Sequence, residues 1–221
     1  MRGKSARGSS ARSSRRRGNR VFLNVPFDNI RGYEHCFLAY VAGIVGLGLA
    51  PRSVVEIPSG GRDRLTRIFR LMRDCRYSLH DLSRIELRAG RYPRFNMPFE
   101  LGLATALALA RRPSHDRYVF APRHHVVHHV ASDLGGVDVY EHKGSAPGVL
   151  VSLNNAFVRR TRPADVRHLA TVYRKLKAWA DQNCRRARPR RSVYEPAVFK
   201  RLVIVATAVS REARKGTPAA R

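Results

Sequence analysis

Negative charge, cysteine and tryptophan are scarce in this 221-residue chain, which has 16 Asp and Glu against 43 Lys and Arg, three cysteines and one tryptophan. Three widely spaced cysteines, Cys36, Cys75 and Cys184, make neither a disulfide framework nor a zinc ligand pattern. The apolar runs are broken by glycine well short of a membrane span, and no apolar stretch follows the basic N-terminus. No membrane partner or export is therefore expected, and a reducing cytoplasm is the natural setting. Also missing are the phosphate-binding and dinucleotide-binding glycine fingerprints. The glycine-rich loop "IPSGGRDR" at 57–64 has the spacing of neither.

What the chain has in excess is arginine, which supplies 37 of the 43 basic side chains. Much of the +27 net charge sits at the ends: residues 1–20 carry eight Lys and Arg with no acid, and residues 185–221 carry eleven against two acids. The first twenty residues have no large apolar side chain after Met1, so they bury too little to offset the entropy of ordering and read as a disordered basic arm. Such tails suit weak, sequence-independent binding to nucleic-acid phosphates, a partner left open here because neither flank carries a recognition motif.

Between the tails, β-rich and helical stretches alternate. "VFLNV" at 21–25 predicts a first strand, "YEHCFLAYVAGIVGLGL" at 33–49 a helix of small residues, and "RSVVEI" at 52–57 a second strand. An amphipathic helix follows at 63–75, with Leu65, Ile68, Phe69 and Met72 on one stripe and arginines largely off it. "YSLHDL" at 77–82, "DRYVFA" at 116–121 and "GVDVYE" at 136–141 predict three more strands, with a helix between the last two at 123–131. The alternation implies an open, doubly wound parallel sheet, whose ligands bind beyond the carboxyl ends of the strands. Helices are expected beyond residue 144. The chain divides into a basic arm at 1–20, an α/β domain at 21–144, flanking helices at 145–184, and a basic linker with a C-terminal helix at 185–221.

"RFNMPFELGLATALALA" at 94–110 predicts a helix apolar on all sides, with Asn96 as N-cap, Gly102 allowing close packing on a strand, and Glu100 in or just after the first turn. A carboxylate there either complements the helix dipole or faces a cleft. Asp81 and Ser83 at the end of the third strand also have two readings, a turn or a pocket wall. Arg62 and Arg64, at the glycine-rich loop, suit an anion if that loop is more than a connection. The run "HHVVHH" at 124–129 has no acidic or cysteine partner nearby, so it reads as a solvated face and no metal is expected.

The order "VFLNVPFD", "CRYSLHDLS", "FNMPFELGLATAL" resembles the nucleoside 2-deoxyribosyltransferase-like and TIR-like superfamily over about residues 21–141. The resemblance implies a flavodoxin-like fold with a five-stranded parallel sheet and, here, extra C-terminal helices. It also implies an intracellular N-glycosidase acting on NAD or a related nucleotide without a cofactor. Glu100 would be the catalytic carboxylate, and Phe27, Asp28, Arg62, Asp81, Ser83 and Asn96 would bind substrate. Self-association is left open as a partner call. The alternative is a module that senses a nucleotide in the same cleft without turning it over.

Overall fold

The computed structural model describes residues 18–27, 32–57, 63–85, 93–110, 115–123, 127, 137–159 and 165–215. Five strands, β1 (Arg20–Asn24), β2 (Ala50–Ser53), β3 (Tyr77–Asp81), β4 (Asp116–Ala121) and β5 (Val139–Glu141), form one sheet. Its order is β2-β1-β3-β4-β5 and every pair is parallel. This is the flavodoxin-like α/β order, in which the chain reverses its winding direction between β1 and β3.

The helices are α1 (Glu34–Gly46), α2 (Arg64–Arg73), α3 (Asn96–Ala110), α4 (Ala146–Phe157), α5 (Val166–Ala180) and α6 (Pro196–Lys215), with a π-turn at Asp181–Arg185 after α5. One face of the sheet packs on α1 and α4 through Val21, Leu23, Val25 and Leu79; the other packs on α2 and α3 through Phe22 and Val119. The near-continuous apolar character of β1 follows from this two-sided cover.

α1 is buried from Cys36 to Gly46. A helix apolar on all sides needs cover on all sides, and here the sheet supplies one side while α4, α5 and α6 supply the rest. Gly43 and Gly46 let Leu153 of α4 and Leu169 of α5 approach to where a Cβ would lie 2.5 Å from each. The C-terminal helices thus form an additional layer sharing one core with the sheet, including Phe199 and Leu202 of α6.

Three local expectations need correction. The second strand occupies residues 50–53 rather than 52–57, because Ser53 and Glu56 form a reciprocal capping box that winds Val54–Glu56 into a 3-10 turn. Asn96 is the first residue of α3 instead of its cap. Gly102 packs on no strand: it is exposed, and a Cβ there would meet nothing within 4 Å. Of the predicted helix at 123–131 only Arg123 and Val127 are described, and the histidines of "HHVVHH" lie outside the described residues. No described helix is long and apolar enough to cross a membrane.

Candidate active site

At the carboxyl ends of β1 and β2, a pocket of about 450 Å³ opens between the chain that leaves β1, the start of α2 and the start of α3. Pro26 and Phe27 line it from the first element, and Arg64, Leu65 and Ile68 from the second. The third contributes Asn96, Met97, Phe99 and Glu100, preceded by Arg94. Its place beside the β1/β3 reversal is where open α/β sheets bind ligands.

Glu100 is the one carboxylate among the described lining residues. Its residue is 7% exposed, and its Oε2 has no hydrogen-bond partner among the described residues. Burial pushes its carboxyl up to about 7, against the opposing charge of Arg64. α3 begins at Asn96, so Glu100 lies just beyond its first turn, where the helix-dipole contribution has largely faded. A buried carboxylate without a partner is costly unless a ligand supplies one.

An internal hydrogen-bond pair fixes the start of α3. The Asn24 side-chain amide, at the end of β1, donates to His80 Nδ1 at 3.0 Å and to the Met97 carbonyl at 3.3 Å. Because the amide nitrogen is the donor, His80 Nδ1 is the acceptor and its proton resides on Nε2. Burial, with His115 and Arg117, pushes His80 down to about 3, so the ring is neutral at ordinary pH. The sheet thereby holds the peptide one helical turn before Glu100.

Asp81 and Ser83 do not join this pocket. Alternation along β3 turns Asp81 to the opposite face, with Leu79 and α1. There one carboxylate oxygen accepts from the Tyr33 and Tyr40 hydroxyls, the latter at 2.6 Å, and lies 3.3 Å from His142 Nε2. The other accepts from the Ser83 hydroxyl and, at 2.8 Å, from its backbone N–H. The Gly144 N–H donates to His142 Nδ1, so Nε2 carries the ring proton toward Asp81. Burial alone would raise Asp81, but the electrostatic attraction and hydrogen bond of the His142 N–H, with the bonds from Ser83 and Tyr33, outweigh it and hold the carboxyl low. This cluster is internally satisfied and fastens β3 to α1 and to the turn after β5.

Phe27 and Asn96 line the pocket, whereas Asp28 and Arg62 lie outside the described residues. Arg94, Leu65 and Phe99 were not anticipated as lining residues. Leu65 was expected on the buried stripe of α2, but it is 48% exposed and edges the cavity instead. The proximity of Arg94 and Phe99 to Glu100 in sequence was the available signal. No group of three or more His, Cys, Asp or Glu among the described residues is placed to hold a metal. The fold and pocket define a doubly wound α/β protein with an acidic residue at its switch-point cleft. Compared with known proteins, the chain matches no family model and no curated sequence.

Proposed function

We propose that the protein is an N-glycosidase that hydrolyses the ribosyl bond of NAD or a related nucleotide in this pocket, with Glu100 as its catalytic carboxylate. The observation that carries the reading is the buried, unpartnered Oε2 of Glu100 in the pocket wall. Cleavage of a ribosyl C1′–N bond builds positive charge at C1′, and a carboxylate buried there stabilises that charge strongly. In NAD the electron pair of the breaking bond returns to the pyridinium nitrogen, so nicotinamide leaves neutral and needs no general acid. Water then adds at C1′ and releases its proton to solvent. A substrate of this kind suits a pocket whose described lining holds one carboxylate, whereas two-carboxylate glycosidases require an acid as well. Arg64 and Arg94 supply positive charge for the phosphates, and Phe27 and Phe99 supply apolar surface for a base.

The test is consumption of NAD and a nucleoside panel by the full chain and by Glu100→Gln, over a range of protein concentrations. We expect turnover by the wild type, loss of about two orders of magnitude or more in Glu100→Gln, and retained ligand binding in the variant. Because the ionised carboxylate acts, kcat/KM should rise with pH through about 7. Binding with no turnover at any concentration would replace the enzyme reading with a nucleotide sensor that uses the same cleft.

A further inference from the structure

We infer that the rim of the pocket and the outer surface of α2 and α3 beside it bind single-stranded nucleic acid, with bases stacked on Phe95 and Phe99 and phosphates held by arginine. α2 and α3 cover the same face of the sheet, so their outward sides make one surface. On α2 that surface is basic: the helix has four arginines and no acid, and Arg64, Arg70 and Arg73 are exposed. Where α3 begins, it is aromatic. Phe95 and Phe99 are 71% and 53% exposed, and their spacing of four, closed by the Phe99 N–H bond to the Phe95 carbonyl, brings them to neighbouring positions on one side. Arg94 and Asn96, exposed on either side of Phe95, line the pocket, as does Phe99, so both phenylalanines stand at its rim.

The combination selects the partner. A net charge of +27 draws any polyanion, but a single strand is the one that also presents unpaired base faces, and these stack on aromatic rings. A duplex keeps its base faces inside the stack and meets only the arginines. An anionic membrane offers charge and apolar surface together, yet it would close the mouth of the pocket against lipid, over the buried Glu100 carboxylate. A strand uses that mouth instead: Arg64 and Arg94 carry its line of phosphate contacts to a cavity of about 450 Å³, which a terminal or turned-out nucleotide can enter. This surface is distinct from the basic ends of the chain, because its stacking rings belong to the folded domain.

Fluorescence anisotropy of the full chain with a labelled single strand of about 12 nucleotides of mixed sequence tests this, with the corresponding duplex and inorganic polyphosphate as competitors. The strand should bind more tightly than the duplex, and its affinity should fall with salt. Phe95→Ala and Phe99→Ala should each weaken strand binding by about five- to a hundredfold while melting like the wild type. Phe95→Trp should bind at least as tightly as the wild type, and Ile204→Ala, at an exposed residue of α6, equally well. Competition by polyphosphate, which has charge and no bases, should be the same against all these proteins. Absence of strand binding overturns the proposal. So does an affinity that neither phenylalanine variant reduces, which would place the contact in the basic ends. Binding to phosphatidylserine-containing vesicles that Phe95→Ala abolishes, with strand binding intact, would also overturn it and give the surface to a membrane. The readout involves no turnover, so its failure leaves the reading of Glu100 untouched, and a strand-binding protein without turnover leaves this inference standing.

Discussion

Glu100 and Asp81 are both acidic side chains shut away from water, and their surroundings act on them in opposite directions. The folded-state carboxyl of Glu100 is raised to about 7 from 4.5, so the folded protein holds its proton more tightly than the unfolded chain does. Its presence therefore lowers stability progressively as pH rises from about 4.5 to about 7, with the full penalty above that. Glu100→Gln should be more stable than the wild type at pH 8, on the order of 3 kcal/mol, and nearly equal at pH 4. Urea denaturation at the two pH values measures this. A gain in stability together with a loss of turnover is the signature of a residue kept for its chemistry. Asp81 is lowered below its ordinary 3.8, so its contribution is complete above that value and disappears as pH falls through the lower folded value. Asp81→Ala leaves Tyr33, Tyr40 and His142 without their acceptor and should cost about 3–5 kcal/mol at pH 7, with a flatter acid limb in thermal melts. From the sequence both residues were readable as acids at element ends. Which was satisfied was not, because all the partners of Asp81 except Ser83 lie 41, 48 and 61 positions away along the chain.

Elements differ in how closely they pack, and two helical glycines expose the difference. A Cβ on Gly148 of α4 would fall 2.0 Å from the His142 carbonyl oxygen, which is backbone and cannot swing aside. Gly148→Ala should therefore cost about 1–3 kcal/mol or more despite the better helix propensity of alanine, and the loss should appear as a lower denaturation midpoint. Gly102 of α3 has open space around it, so Gly102→Ala should raise stability by about 0.5–1 kcal/mol in the same measurement. Sequence pattern treated Gly102 as a packing glycine because it falls among small apolar residues. The pattern recorded that α3 is apolar on all sides, without saying which side has a partner. The strand expected at 52–57 failed for a related reason: Val54 and Val55 favour a strand, but the Ser53–Glu56 capping box prevailed.

For the molecule as a whole, the C-terminal helices count as core. α6 inserts Val198, Phe199, Leu202 and Ala206 into the cluster that contains β1 and α1, and its Arg214 donates to the Gly46 carbonyl at the end of α1 at 2.6 Å. Burying a large apolar side chain is worth about 1.5–3 kcal/mol, so removing these residues forfeits an amount comparable to the 5–15 kcal/mol total stability of a typical domain. A chain ending at Arg191 should therefore lose cooperative unfolding, with circular dichroism during denaturation as the measurement. The sequence showed these segments as helical, yet gave no indication that α1 required them as cover.

The sequence by itself determined the alternation of strands and helices, the parallel sheet and the anomaly of Glu100, because side-chain periodicity and burial-type composition are local properties of the chain. It also singled out Phe27 and Asn96 beside that carboxylate. Only the tertiary structure decided that Asp81 belongs to the opposite face and that Arg94, Leu65 and Phe99 complete the pocket with Glu100. It also decided that one side of α3 stays open while α1 is enclosed. Those outcomes depend on which faces of distant elements meet, and a face gains its partner only when the chain closes on itself.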